Sequence, residues 1–270
     1  MKVIASGKCG PALKRDLAAK EARGEILAFI DDDAYPEPDW LTAAGPAFQD
    51  RAVAAVGGPA MTPDSDTFWQ RAGGASFLSV LGGGYPERYW PVGPERDVDD
   101  WPTVNFLVRR DVFLALGGFD TRYWPGEDTI FCLKLLEAGH RIRYVPSAKV
   151  WHHRRVDLRA HLRQVGNYGY HRGHFARVHP RNSSSPKYFA PTALVLWIAS
   201  GFAALKYAVW GLIWGAGMVA YGGALLVAFV QILSRTRHPG IALGAVPFIL
   251  LGHLAYGVRF MAGYFAPTID

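Results

Sequence analysis

The stretch that decides the fold reads Ile26-Leu-Ala-Phe-Ile30 and runs directly into Asp31-Asp32-Asp33. Five apolar residues in a row predict a short strand that is buried on both faces. Three carboxylates follow where this strand would leave the sheet, which is the edge at which open α/β sheets bind their ligands. Because adjacent carboxylates repel each other, the triplet indicates a hard cation such as Mg²⁺ or Mn²⁺. A solvated acidic turn, favoured by Pro36 and Pro38, is the alternative.

The patterns around this stretch predict an α/β fold with a mostly parallel sheet and flanking helices. Lys2–Ala5 has strand character, and Pro11 begins a helix that runs to about Ala22. A strand, a helix and a second strand in succession are typical of a parallel α/β unit. Residues 62–101, rich in Gly, Pro and aromatic side chains, are predicted to form a long loop. The remaining patterns predict helices at 39–49, 111–116, 129–138 and 158–177, and strands at 53–56, 104–109, 141–145 and 149–151.

The charge of the chain is unevenly distributed. The 270 residues carry a net charge of +6, and 50% of them are hydrophobic, which excludes a disordered chain. Residues 151–181 contain seven arginines and six histidines but one acid, whereas Lys206 is the only charged residue between 190 and 234. The sequence therefore predicts a soluble domain over 1–185 and a membrane domain over 186–270. Cys9 and Cys132 lie far apart, which predicts reduced thiols in a cytosolic domain.

Three apolar segments, at residues 191–210, 212–233 and 241–265, are each long enough to cross a hydrocarbon core of ~30 Å. The turn between the first two is expected within residues 210–217. Buried core helices are the alternative explanation for these segments.

Basic residues flank the apolar segments and predict their orientation. Lysines and arginines between 172 and 187 precede the first segment, and Arg235 and Arg237 separate the second from the third. The positive-inside rule places both groups, and the soluble domain with them, on the cytoplasmic side of the inner membrane. Lys206 and Arg259 would be costly at the membrane centre and are expected to snorkel or to face protein.

A second acidic cluster, Gly126-Glu127-Asp128, precedes the predicted 129–138 helix. Acids at this position cap a helix and complement its dipole, which is the structural alternative. Capping needs only one acid, so the pair favours a functional role. Asp128 is then a candidate general base for an acceptor hydroxyl, with Glu127 orienting the base or the acceptor.

The third feature is His152-His153 at the end of a predicted strand, followed by Arg154 and Arg155. Neutral imidazole is a suitable third ligand for Mn²⁺. The alternative is a basic flank of the membrane domain, which is the favoured interpretation for the two arginines.

These features occur in one order along residues 1–180 with several further short motifs. Together the motifs are Gly10-Pro-Ala, Lys14-Arg15-Asp16, Ala22 through Asp33, Asp39-Trp40-Leu41, Asn105, Arg109-Arg110-Asp-Val, Leu116-Gly-Gly-Phe-Asp120, Gly126-Glu-Asp128 and Val150-Trp-His152. In this order they resemble a family 2 glycosyltransferase of the GT-A fold. The tail, with Gly252-His253 and Tyr256-Gly257, is similar to membrane-anchored members that build polysaccharide or glycolipid.

The resemblance implies an inverting transfer of a sugar from a nucleotide-sugar donor to a glycan or lipid-linked acceptor, with Mn²⁺ or Mg²⁺ as cofactor and the bilayer as a further partner. It implies Asp33 and His152 as metal ligands, with His153 the less favoured histidine and Asp31 bound to the metal or to the ribose. Asp128 matches the base of the family's ED motif, with Glu127 beside it.

The remaining implied roles concern the two substrates. For the donor the resemblance implies Lys14, Arg15, Asp31, Asp32 and Asp33. For the acceptor or the diphosphate it implies Asn105, Trp124, Gly126, Gln164, Tyr168 and Arg172.

The chain departs from the family pattern in two ways. Members usually begin with an earlier strand and helix that hold the nucleotide base, and this sequence starts after them. A fragment, a wrong start site or a shortened enzyme would each explain that difference. Some processive members carry QxxRW, whereas this chain has Gln164-Val-Gly-Asn-Tyr168-Gly, which does not support processive synthesis.

Two other functions are compatible with the sequence. A non-catalytic membrane partner that keeps the fold would explain the missing nucleotide-binding segment. A nucleic-acid binder would explain the Arg/His-rich stretch at 151–181. Because basic residues beside a membrane segment already pair with anionic lipid, we expect no nucleic-acid partner.

Overall fold

The structure is a computed structural model that describes residues 2–119 and 125–267. The chain divides into two compact units. The first, here called the α/β unit, comprises residues 2–61 and 90–152, and the second, the helical unit, comprises residues 62–89 and 153–267. The expected domain boundary at residue 185 differs from this division, because the helix after residue 157 belongs with the apolar helices that follow it.

The elements are numbered in chain order. The helices are α1 (Pro11–Glu21), α2 (Trp40–Ala44), α3 (Phe68–Ser76), α4 (Val80–Gly83), α5 (Arg110–Ala115), α6 (Glu127–Glu137), α7 (Leu158–Val178), α8 (Pro180–Ser183), α9 (Pro186–Ala204), α10 (Ala208–Thr236) and α11 (Pro239–Tyr264). The strands are β1 (Ile26–Ile30), β2 (Ala34–Pro36), β3 (Val53–Gly57), β4 (Ala60–Met61), β5 (Arg96–Val98), β6 (Asn105–Arg109), β7 (Arg141–Tyr144) and β8 (Val150–His152).

The main sheet of the α/β unit has the strand order β1-β6-β3-β7-β5. β6 is antiparallel to both β1 and β3, β3 is parallel to β7, and β5 is antiparallel to β7. The expectation of a mostly parallel sheet is therefore wrong in this respect. β1, β3 and β7 do run in one direction, but β6 lies between β1 and β3 in the opposite direction, so the sheet is mixed.

Apolar side chains cover both faces of the main sheet. Leu27 and Phe29 of β1 belong to one core cluster, in which Phe106, Phe113 and Phe131 supply packed aromatic rings. Ile26 and Ile30 pack against a second cluster, which is built around Trp40, Val53 and Val56. The apolar run is therefore a strand, as predicted, but it is buried on one face only: Ile26 and Ile30 are half-buried and Ala28 between them is exposed, because β1 lies at the edge of the sheet.

A second, three-stranded sheet has the order β2-β8-β4. β2 pairs antiparallel with β8, and the register places Ala34 opposite His152. β4 pairs parallel with β8. This small sheet ties the segment after the acidic triplet to the end of the α/β unit.

Two expectations for secondary structure are wrong. Lys2–Ala5 has no regular structure, since within the described residues no strand of either sheet pairs with it. The expected long loop over 62–101 instead contains α3, α4 and β5. Its first helix begins with a capping box, in which Gln70 N donates to Thr67 Oγ1 and the Gln70 side chain accepts from Thr67 N.

The helical unit contains the long apolar helices. Of the three expected membrane segments, two helices among the described residues, α10 and α11, are long and apolar enough to cross a bilayer, judged by length and composition. The break between α9 and α10 lies at residues 205–207, so the expected turn at 210–217 is wrong and Lys206 lies in the connection. Arg259 of α11 is exposed, and its guanidinium carbon lies 4.7 Å from the centroid of the Tyr170 ring of α7.

Glycines allow α7 and α11 to approach each other closely. A Cβ added to Gly173 would lie 2.1 Å from Phe260 O, and one added to Gly263 would lie 1.8 Å from Tyr170 O. Both contacts are with backbone atoms, which cannot move aside as a side chain can. This close approach is the packing that small residues permit between apolar helices.

We predict that Gly263→Ala destabilises the protein by about 1–3 kcal/mol, because its methyl group overpacks this helix contact. Gly222→Ala in α10 is the matched control, since a Cβ there meets nothing within 4 Å. Differential scanning fluorimetry in detergent should show a lowered Tm for the first variant only. Equal melting temperatures for both variants would contradict the packing described here.

Candidate active site

The acidic triplet is placed by the strands on either side of it. β1 ends at Ile30, and a turn closed by the hydrogen bond from Ala34 N to Asp31 O (3.1 Å) leads into β2. Because Ala34 pairs with His152, Asp33 lies beside that histidine. His152 Nε2 is 3.1 Å from Asp33 Oδ1. The strand register thus brings together two residues that are 119 positions apart in the chain.

Asp31, Asp33 and His152 form a cluster in which one ligand atom from each lies within 4.8 Å of the others. All three are half-buried, whereas Asp32 points to solvent. Two carboxylate oxygens and one imidazole nitrogen suit a hard or borderline divalent cation such as Mn²⁺ or Mg²⁺. The donor set therefore fits the cation that the sequence predicts, with Asp32 outside it.

Arg15 connects this cluster to the second acidic motif. Its Nη2 donates to Asp31 Oδ1 at 2.6 Å, and its Nη1 donates to Glu127 Oε1 at 2.9 Å. The side chains of Arg15 and Glu127 are 17% and 6% exposed. The planar guanidinium is suited to bridging two carboxylates in this way. Two carboxylates thus bind Arg15, while Lys14 is exposed. The expected contact of either residue with the donor stays a prediction.

The motif Gly126-Glu127-Asp128 forms the start of α6. Gly126 has φ +122°, a conformation that favours glycine. Gly126 N donates to Glu127 Oε2 (3.1 Å), and Thr129 N donates to Asp128 Oδ1 (2.8 Å). Both acids therefore also accept hydrogen bonds from backbone N–H groups at the start of α6, which agrees with the structural alternative of helix capping. Of the two acids, Glu127 is buried and Asp128 is half-buried.

Asn105 belongs to the core, which corrects the expectation that it contacts acceptor or diphosphate. Its side chain is completely buried. Its Oδ1 accepts from Trp40 Nε1 (2.8 Å), and its Nδ2 donates to Pro59 O and Ala148 O. The Asn105 amide thus makes its hydrogen bonds within the core of the α/β unit. Trp40 of the Asp39-Trp40-Leu41 motif supplies the indole donor.

The two histidines have different partners. His152 belongs to the cluster with Asp33, and His153 Nδ1 lies 2.5 Å from Asp66 Oδ1 within the helical unit. Asp66 also accepts from Arg154 N (3.1 Å). Among the pair, His152 is therefore the one that the structure places with the acidic triplet.

The other expected site residues fall in two groups. Gln164, Tyr168 and Arg172 lie on α7 of the helical unit, where Tyr168 is exposed. Trp124, like Asp120 of the Leu116–Asp120 motif, lies outside the described residues.

One contact near the site was not anticipated from the sequence. Phe119 N donates to Asp16 Oδ1 at 3.0 Å, and burial raises the pKa of Asp16. Gly118 has φ +68°, and a Cβ there would lie 2.6 Å from Asp16 Oδ1. The motif residues Asp16 and Gly118 therefore pack against each other, and no spacing in the sequence signals that pairing.

Comparison with known proteins identifies the family. Residues 26–261 match the sequence profile of a family described as Glycosyl transferase family group 2. The pre-mycofactocin glycosyltransferase of Mycobacterium tuberculosis is 32% identical over 189 residues, which cover 70% of this chain and 39% of that protein. The glucosyl-dolichyl phosphate glucuronosyltransferase of Haloferax volcanii is 27% identical over 160 residues, which cover 53% of this chain and 47% of that protein. The chain thus spans less than half the length of these curated relatives.

Solved structures include a similar protein. A mannosyltransferase from Pyrobaculum calidifontis, in complex with GDP-Man and Mn²⁺, aligns with 87% of this chain and 65% of its own. The TM-score is 0.47 and the sequence identity 20%.

We predict that Arg15→Gln destabilises the α/β unit by about 3 kcal/mol, because it leaves the Glu127 carboxylate buried without its cation. Arg141→Gln is the matched control, since Arg141 also bridges two carboxylates, of Asp50 and Asp97, but on the exposed surface. Solvent weakens such pairs, so this variant should unfold at nearly the wild-type urea concentration. Urea unfolding followed by tryptophan fluorescence distinguishes the two, and equal midpoints would contradict a buried bridge.

Proposed function

We propose, from the premise that this chain belongs to glycosyl transferase family group 2, that its α/β unit performs an inverting, metal-dependent glycosyl transfer. The donor is a nucleotide sugar, and the acceptor is a glycan or a lipid-linked sugar. The observation that carries the proposal is the cluster of Asp31, Asp33 and His152, with Arg15 linking it to the acidic start of α6.

Asp33 and His152 would hold Mn²⁺ or Mg²⁺, and Asp31 would contribute its second oxygen or bind the donor ribose. When bound, the cation neutralises charge on the departing nucleoside diphosphate. Asp31 shares one oxygen with Arg15, so its orientation is fixed before any ligand arrives. Asp32 is exposed beside the cluster, and its proposed role is to contact the donor.

Asp128 is the proposed general base. It accepts the proton of the acceptor hydroxyl while the hydroxyl oxygen attacks the anomeric carbon from the face opposite the leaving group. The bond from that carbon to the diphosphate oxygen breaks as the new glycosidic bond forms, which inverts the configuration. The hydrogen bond from Thr129 N fixes the position of one of the Asp128 carboxylate oxygens. Glu127, held by Arg15, acts as a positioning residue.

The helical unit is proposed to anchor the enzyme in the inner membrane, with the α/β unit in the cytoplasm. α10 and α11 have the length and composition of membrane-spanning helices. Arg235 and Arg237 stand at their junction, and the positive-inside rule assigns that junction to the cytoplasmic side.

We expect purified full-length chain to release nucleoside diphosphate from one member of a panel of nucleotide sugars in the presence of Mn²⁺. Asp128→Asn should lower the turnover by about 10²- to 10⁴-fold, since it removes the base. Asp111→Asn is the matched control, because Asp111 is the second residue of α5, as Asp128 is of α6, and its Oδ1 likewise accepts from the next backbone N–H.

Retained turnover in Asp128→Asn would refute the assignment of the base. Absence of turnover with every donor would instead favour the non-catalytic partner.

Metal binding is tested without any substrate. Asp33→Asn and His152→Gln should each weaken Mn²⁺ binding by about tenfold or more, because each removes a ligand. Asp32→Asn, one residue from the ligands but outside the cluster, should leave the affinity near that of wild type. The electron paramagnetic resonance signal of free Mn²⁺ measures the affinities, and an equal loss in all three variants would indicate a diffuse acidic surface.

A further inference from the structure

Residues 67–86 form a nearly uncharged stretch outside the three apolar segments identified in the sequence. Arg71 is its only charged residue. The structure folds most of this stretch into α3 and α4, which belong to the helical unit. Ala75 and Leu78 lie in one core cluster with apolar side chains of α10 and α11. The stretch therefore shares a core with the two helices that are proposed to cross the membrane.

Three large apolar side chains of α3 and α4 lie outside this core. Phe68, Trp69 and Val80 are 45%, 52% and 62% exposed. The two aromatic rings are held in place: their centroids are 5.1 Å apart in an edge-to-face arrangement, and that of Trp69 is 6.3 Å from the Phe248 ring of α11. A Cβ added to Gly244 would lie 2.9 Å from Phe68 Cζ, so this glycine makes room for the ring. Adjacent aromatic rings that are exposed in fixed positions favour an apolar partner over water.

Side chains of α10 and α11 supply hydrogen-bond partners to the backbone of α4. Val80 N, the first N–H of α4, donates to Gln231 Oε1 at 3.3 Å. Leu81 O accepts from His253 Nε2 at 2.8 Å, and because this nitrogen carries the proton, His253 Nδ1 accepts from Tyr221 Oη at 2.8 Å. Water would serve these backbone groups on an ordinary protein surface. Pairing them within the protein is what a short helix needs among lipid chains.

Positions along α11 indicate how deep each part of the stretch lies. Phe68 packs on Gly244, near the start of α11, whereas Leu81 binds His253, nine residues further along the helix. Nine residues of an α-helix rise about 14 Å, which is roughly half of a hydrocarbon core. The start of α11 belongs to the proposed cytoplasmic side, and aromatic rings are typical of the headgroup level there.

We propose that α3 and α4 enter the cytoplasmic leaflet beside α10 and α11. Phe68 and Trp69 then lie at the level of the lipid headgroups, and Val80 contacts the acyl chains. This proposal deepens the proposed function by naming the lipid leaflet as a partner of α3 and α4, and it rests on the membrane placement of α10 and α11. It does not depend on sugar transfer.

The experiment attaches a nitroxide spin label to Val80→Cys in the full chain, in a Cys9→Ser background. Cys132 is completely buried and should stay unlabelled, which the background without a new cysteine verifies. The protein is reconstituted into vesicles of phosphatidylcholine and phosphatidylglycerol. Electron paramagnetic resonance power saturation then compares collisions of the label with oxygen and with a water-soluble nickel chelate. Oxygen collisions should predominate at residue 80, because oxygen concentrates among acyl chains and the chelate is excluded from them.

Val156→Cys is the matched control. Val156 is 68% exposed and lies in the same unit, but it stands between Arg155 and Asp157. Collisions with the nickel chelate should predominate at its label. Leu226→Cys on α10, where Leu226 is 64% exposed, reports separately whether α10 lies in the bilayer.

The three labels separate the possible outcomes. Oxygen predominating at residues 80 and 226, with nickel predominating at 156, supports the proposal. Nickel predominating at 80 but oxygen at 226 would overturn it while α10 stays in the membrane. Nickel predominating at both would overturn the membrane placement as well. A label at 80 that is shielded from both reagents would indicate a protein partner there and would also overturn the contact with lipid.

Discussion

The antiparallel pairing of β2 with β8 is the constraint on which the candidate site depends. It places Ala34 opposite His152 and so brings Asp33 within 3.1 Å of the imidazole. Neither strand is longer than three residues, and the pair is stabilised by its neighbours rather than by its own length. β1 fixes one end through its pairing with β6, and β4 supports β8 from the other side.

Arg15 extends this local order to the second acidic motif. An isolated arrangement of Asp31, Asp33 and Glu127 would be strained by repulsion, and the guanidinium offsets it with one hydrogen bond to each of two carboxylates. Burial of Glu127 makes the bridge sensitive to loss of either partner. The same cation reduces the net negative charge at the place where a diphosphate is proposed to arrive, which favours binding of an anionic donor.

Much of the fold follows from local pattern. The apolar run of β1, the Pro11 start of α1 and the acidic start of α6 each lie close to where the sequence predicts them. The position of β6 between β1 and β3 could not be predicted, because strand order depends on pairing between residues far apart in the chain. The role of Asn105 was missed for a related reason. A polar residue in a predicted strand suggests contact with a substrate, and only the structure shows its three buried hydrogen-bond partners. Helices α3 and α4 were not predicted, because their sequences contain glycines, which are typical of loops.

The register of β2 also limits how this part of the chain can change its length. Asp32 and Asp33 lie in the turn that the hydrogen bond from Ala34 N to Asp31 O closes, so one residue more or fewer between Asp31 and Ala34 would break this turn and shift Asp33 away from the residue that pairs with His152. A single-codon insertion or deletion at this point would separate the carboxylates from the imidazole even if Asp31, Asp33 and His152 were all still present. Variation in loop length among related chains should therefore be found beyond Pro36, where the backbone has already left the pairing with β8.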